Sequence, residues 1–147
     1  MSTATLSDLL RTPKDVIKLT RDGAVTVVRR DGPDLVLMRA ADLAAQREGL
    51  TLASQVMRAS LAAKGDMVSA LKSLWAWTSL LSDAELAQFA SDMDANVWAA
   101  VELDRHDSLL LEFHRWRETA DAYAAGLPRG NGCYQESSAN RPVVERP

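Results

Sequence analysis

Apolar and polar residues change rhythm several times along this chain, and each change marks an element. Strand-length apolar runs occupy residues 24–29 (Ala-Val-Thr-Val-Val-Arg) and 34–39 (Asp-Leu-Val-Leu-Met-Arg), separated by Arg30-Asp-Gly-Pro33. Asp31-Gly32 supplies turn chemistry, and Pro33 stands beside it where a missing donor interrupts no ladder, so the two runs predict a β-hairpin. Apolar side chains fall on both faces: Val25, Val27, Leu35 and Leu37 at one set of positions, Val28, Val36 and Met38 at the other. Both sides should exclude water, and a first module of roughly 60 residues has too little chain to cover them alone. A second copy of the chain is the expected cover.

Ahead of the hairpin, Thr3-Ala-Thr-Leu6 is β-prone, and Ser7-Asp-Leu-Leu10 reads as a helical turn capped by the Ser7 hydroxyl. Thr12, Pro13 and Asp15 have the chemistry of a second helix start, and Asp22-Gly23 that of its end. Residues 40–63 carry a helical pattern with Leu43, Leu50, Ala53, Met57 and Leu61 near one face and Gly49 as a point of interruption. Three more helices follow. Asp66 caps the first, which bears Met67, Leu71, Leu74, Trp75, Thr78 and Leu81 on one side. Ser82-Asp-Ala-Glu85 is a capping box opening the second, with Leu86, Phe89, Ala90, Met93, Val97 and Val101 inward. The third carries Leu109, Phe113, Trp116, Ala120 and Tyr123 and ends at Gly126. Residues 127–147, with three Pro and two Gly, predict a disordered tail. The expected fold is α+β: a small domain over residues 1–63 (short strand, two helices, hairpin, long helix), then an all-α three-helix module over residues 66–126.

Charge sharpens this division. Residues 1–63 hold 9 Lys/Arg against 7 Asp/Glu, and residues 64–126 hold 5 against 11, within a chain whose net charge is −3. All eight aromatic residues lie beyond residue 74. No uncharged apolar run approaches the ~18 residues of a membrane span, and the start Met1-Ser-Thr-Ala-Thr lacks the basic and apolar regions of a signal peptide, so a cytoplasmic location is expected. A single cysteine, Cys133, allows neither an intrachain disulfide nor a thiolate metal cage.

Catalytic chemistry is sparse. His106 and His114 are eight residues apart with no accompanying metal motif, and Gly130-Asn-Gly132 has neither a strand before it nor a helix after it to make a phosphate cradle. Asp92 with Asp94, and Glu102 with Asp104, face different directions on a helix and read as solvated surface. Neither metal, cofactor nor enzymatic activity is expected. Arg11 and Lys14 at a helix start, and Arg29 and Arg30 at the hairpin, stand where side chains project, a placement that suits phosphate binding and equally suits ordinary solvated charge. Trp75 and Trp116 lie on inward stripes, whereas Trp77 and Trp98 fall off them, which marks these two as candidate anchors for a protein partner.

The run Thr5-Leu-Ser-Asp-Leu-Leu-Arg-Thr-Pro-Lys-Asp-Val-Ile17, the segment Gly23-Ala-Val-Thr-Val-Val-Arg-Arg-Asp-Gly32 and then Asp34-Leu-Val-Leu-Met-Arg-Ala40 closely resemble the prevent-host-death (Phd/YefM) antitoxins, over residues 3–63. Leu81-Ser-Asp-Ala-Glu-Leu-Ala-Gln-Phe89 and Trp116-Arg-Glu-Thr-Ala-Asp-Ala-Tyr123 are similar to the helical extension of one branch of that family. The resemblance implies a homodimeric domain that binds operator DNA, with Arg11 and Arg29 at the family's contact positions and Arg30 beside the latter. It also implies a C-terminal region that holds a toxin. The expected function is therefore an autorepressing antitoxin of a type II toxin–antitoxin pair that neutralises a basic toxin through its acidic helical half. A toxin-free regulator or scaffold, whose helical half oligomerises or docks another protein, is the alternative.

Overall fold

The structure, a computed structural model, describes residues 1–129. Thr5 closes β1 (Ser2–Thr5) and caps α1 (Leu6–Arg11): its hydroxyl accepts from the Asp8 amide at 3.1 Å, and the Asp8 carboxylate accepts from the Thr5 amide at 2.9 Å. The cap thus lies two residues ahead of the expected Ser7. α2 (Pro13–Leu19) begins with Pro13 in its first turn, but the Thr12 hydroxyl caps nothing there and instead donates to the Asp8 carbonyl at 3.1 Å. A 3-10 turn (Thr20–Asp22) and Gly23, at φ 130° where side chains are strained, lead into β2 (Val25–Val28).

The expected hairpin is present: β3 (Leu35–Leu37) pairs antiparallel with β2, Val25 opposite Leu37. β2 is the central strand, because β1 pairs with its other edge in parallel, Ala4 opposite Val27. α1 and α2 form the crossover that a parallel pair requires. Ala4, Val16 and Val25 are buried together beneath Leu9 and Leu37. On the other face Val28 is exposed and Val36 is 62% exposed.

α3 (Ala40–Ala62) runs unbroken through Gly49. Its buried positions are Gly49, Leu52, Ala53 and Val56, while Leu43, Leu50 and Leu61 from the expected inward stripe are exposed. Distance of approach explains the difference. A Cβ on Gly49 would stand 2.5 Å from the His106 Cβ, so the crossing with the last helix fixes Gly49 inward, and with it Leu52, Ala53 and Val56 one to two turns on, which leaves Leu43, Leu50 and Leu61 off that face. A tight turn through Lys64 (φ 55°) and Gly65 (φ 86°) enters α4 (Met67–Leu74), whose cap Asp66 accepts from the Ser69 amide at 3.2 Å. The helix expected to continue to Leu81 stops at Trp75, and residues Ala76–Leu80 form a 3-10 turn. α5 (Asp83–Leu103) opens on the expected Ser82–Glu85 box, and α6 (His106–Ala124) follows a corner at Asp104 (φ 54°).

One core unites α3 to α6, with Leu52, Val56, Leu71, Phe89, Met93 and Leu109 among its buried members. Leu52, Ala53 and Val56 of α3 belong to this core, and the smaller core of Ala4, Val16 and Val25 is separate from it. No described helix is long and apolar enough to cross a membrane, and among the described residues no group of three or more His, Cys, Asp or Glu is placed to hold a metal.

The end of α6 is clasped to the start of α5. The Tyr123 hydroxyl donates to Glu85, and the Arg129 guanidinium lies over the Tyr123 ring and donates to the Leu80 carbonyl at 2.7 Å. Residues 127–129 of the expected disordered tail thus lead to an anchored arginine; the rest of that tail, 130–147 with Cys133, lies outside the described residues. Burial raises the Glu85 carboxyl, but hydrogen bonds from Tyr123 and Ser82 outweigh it and hold the group below the ordinary glutamate range. The same bond to Glu85 raises the Tyr123 hydroxyl.

Because the Glu85 value is depressed on folding, its contribution is present above the unfolded value of about 4.3 and is lost as pH falls through the folded one. Chemical denaturation across the acid range should show stability declining there, and Tyr123→Phe should flatten the decline. Gly49→Ala supplies a second check, with a sign that opposes propensity. Helix propensity alone favours alanine by about 1 kcal/mol, whereas overpacking against His106 should make the variant roughly 1–3 kcal/mol less stable. A melting temperature at or above that of the parent would refute the tight crossing.

Candidate functional site

Two surfaces gather the candidate residues. At the first, the parallel pairing of β1 with β2 sets Thr5 opposite Val28, so the start of α1 meets the end of the hairpin strand. The result is an open depression of about 650 Å³, lined by Thr5, Ser7, Val28, Arg29, Arg30 and Asp31 among others. The Arg29 amide donates to the Asp34 carboxylate at 3.2 Å across the turn. Its guanidinium folds over Gly32, where a Cβ would sit 3.0 Å from Cζ, so a side chain at 32 would push the guanidinium a few tenths of an ångström outward. The ion pairs formed by cations of residues 1–63 among the described residues are Lys18–Asp15 and Arg39–Asp42, which leaves Arg29 and Arg30 unpaired at the depression.

Of the four basic residues singled out from the sequence, the structure brings these two together. Arg11 lies in the last turn of α1 and Lys14 in the first of α2; both are exposed, and neither lines the depression. Thr5 and Ser7 are polar members of the surface that the sequence did not point to. Their approach to the hairpin depends on the parallel strand pair, which has no local signature.

The second surface is on the helical unit, and there Trp77 needs correction. It does not face outward. Its ring stacks on Trp75 with centroids 6.0 Å apart and lies 5.4 Å from Phe89, and its Nε1 is buried with no acceptor among the described residues. The cause is the 3-10 turn: periodicity carried on from α4 points residue 77 away from the core, but the chain leaves α-helical geometry at Trp75 and turns the side chain inward. Arg117 covers what remains, its Cζ 5.8 Å from the ring centroid.

Trp98 does face outward, 55% exposed on α5. It borders a groove of about 130 Å³ whose other walls are Met57, Ser60 and Leu61 of α3, Met67 of α4, and Asp94 and Val97 of α5. Of the neighbouring acids on α5, Asp92 accepts from Trp116 Nε1 at 3.0 Å and from Gln88 at 2.8 Å, while Asp94 faces the groove. They form no dyad. His106 bonds Asp104 at 2.9 Å, and His114 lies 3.7 Å from Glu48, so the two histidines serve different contacts.

No family model, no curated protein and no solved structure matches this chain. The two tryptophans offer a direct test of the placement. Trp77→Ala should cost about 3–5 kcal/mol in denaturant unfolding, as for a core aromatic, whereas Trp98→Ala should cost less than about 1 kcal/mol. Equal losses would contradict the assignment of one to the core and the other to the surface.

Proposed function

We propose that this protein is a homodimeric DNA-binding antitoxin of the Phd/YefM type, repressing its own operator through the first unit and neutralising a basic, RNA-cleaving toxin through the helical half. The observation that carries the reading is the depression where two adjacent arginines, unpaired among the described residues, meet the hydroxyl-bearing start of α1. Such a surface offers guanidinium forks to phosphate or to a guanine edge. Arg11 and Lys14 serve in this reading as outlying phosphate clamps. The exposed apolar side chains of the small unit, among them Leu10, Ile17, Leu35 and Val36, supply a surface for a second copy, and two-fold symmetry then calls for paired half-sites. The opposite charge of the helical half keeps it off DNA and steers a cationic partner to it, with Trp98 as anchor. It acts by binding rather than by catalysis, and no cofactor enters the reading.

The test uses the full chain and the DNA immediately upstream of its gene. The protein should sediment as a dimer and bind a palindrome there, and Arg29→Ala with Arg30→Ala should cost about 1–3 kcal/mol for each base that the guanidinium groups read. Lys14→Ala should mainly lower the salt slope, by about one unit. Unchanged affinity and slope in the arginine variant would remove DNA from the reading. An adjoining reading frame that arrests growth only when expressed without this chain would support the toxin half, and failure of the chain to rescue such arrest would remove it.

A further inference from the structure

The groove beside Trp98 has a chemistry more specific than an acidic surface with an exposed ring. Its floor and walls are mostly soft and apolar, Met57 and Leu61 from α3, Met67 from α4, Val97 and Trp98 from α5, with Ser60 and Asp94 as the polar members. Leu61 is 78% exposed, far more than a side chain that serves the core. Thioethers on two walls let such a site adapt to the shape of what enters it. The volume, about 130 Å³, approaches the ~150 Å³ that houses a benzene ring in an apolar cavity. It accommodates one large aliphatic or aromatic side chain, not a drug-sized ligand.

Charge is arranged around this socket along one row of α5. Asp94, Trp98 and Glu102 are spaced four residues apart, so the two carboxylates bracket the ring, one turn to either side. Both are exposed. The ion pairs of α5, α6 and the corner between them are Arg105–Asp107, His106–Asp104, Arg115–Glu112, Arg117–Asp121 and the pairing of His114 with Glu48, all elsewhere. Arg58 and Lys64 on the α3 side are exposed, and neither pairs with Asp94 or Glu102 among the described residues. The row therefore presents an apolar socket between two uncommitted negative charges about 12 Å apart along the helix axis.

We propose that this groove binds a cationic amphipathic helix, one apolar side chain entering between Met57, Leu61, Met67 and Trp98 while Lys or Arg residues about one turn to either side meet Asp94 and Glu102. A helix is the partner that repeats charge and apolar contact at the spacing α5 displays. The inference rests on the reading of the helical half as the partner-binding half, and it names the form in which the partner binds.

Two synthetic helical peptides with one apolar pattern, a Leu/Lys form and a Leu/Glu form, are titrated against the full chain by fluorescence anisotropy. The Leu/Lys peptide should bind at least about tenfold more tightly than its Leu/Glu counterpart, an advantage that shrinks with added salt. Asp94→Asn with Glu102→Gln should erase most of that advantage, and Trp98→Ala should weaken binding about tenfold, with melting curves showing each variant folded. Asp83→Asn with Glu118→Gln removes the same formal charge away from the groove and should leave binding within about twofold. Equal losses from the two carboxylate pairs would overturn the site in favour of bulk charge. Absence of binding by the Leu/Lys peptide would overturn it outright. A fall in oligomeric state in Trp98→Ala would assign the groove to a second copy, and peptide binding seen only after deletion of residues 130–147 would assign it to the chain's own end; either overturns the proposal. Rescue from the toxin that persists without peptide discrimination refutes the groove alone, whereas peptide discrimination without rescue supports the groove and refutes the antitoxin reading.

Discussion

Phe89 sits where α3 to α6 and the 3-10 turn share one core, and the helical half depends on filling the space around it. The ring is wholly buried and meets Trp75 at 6.3 Å, Trp77 at 5.4 Å and Trp116 at 5.7 Å between centroids. Three tryptophans around one phenylalanine bury a large apolar area with few rotatable bonds. To bring Trp75 and Trp77 to the same ring, residues only two apart must point the same way, which an α-helix forbids. The chain meets that demand by leaving α4 at Trp75, whose backbone is extended (φ −136°, ψ 115°), before the 3-10 turn begins. Among the described residues the buried Trp77 Nε1 has no acceptor, so its place in this cluster rests on packing.

What the sequence made legible was local. The hairpin followed from Asp31-Gly32 between two apolar runs, and the start of α5 from Ser82 and Glu85 three residues apart, because in each case the deciding interaction spans a few residues. Features that depend on remote neighbours were hidden. β1 pairs in parallel with a strand more than twenty residues away, and nothing in its own four residues announces the partner. α3 carries apolar residues around much of its circumference, so choosing its inner face required knowing that α6 crosses at Gly49. Candidate site residues divide in the same way. Arg29 and Arg30 were visible as neighbours of a turn, whereas Thr5 and Ser7 reach them only through the strand pair. Met57 and Leu61, read from the sequence as inward, proved to be walls of a groove.

α3 also sets the relation between the two chemistries of the molecule. Its second half is a wall of the aromatic core, while Ala41, Leu43, Ala44 and Ala45 of its first half are exposed. An unbroken helix of 23 residues, about 34 Å long, connects the basic hairpin to the acidic unit. No Pro or Gly pair interrupts it, and at Arg39 the backbone is already extended, so the helix begins immediately after the hairpin.

The contact between Gly49 and His106 bears on how such a sequence can drift. Position 49 has no room for a side chain while position 106 keeps its Cβ where it is, and position 106 opens α6 with an imidazole tied to Asp104. The two positions are therefore not independent sites of variation. A bulkier residue at 49 is tolerated only after 106 has retreated, and the order of the two changes matters, since the reverse order passes through an overpacked intermediate. In chains that share this architecture, residues at these positions should vary as a pair, glycine at either allowing a side chain at the other.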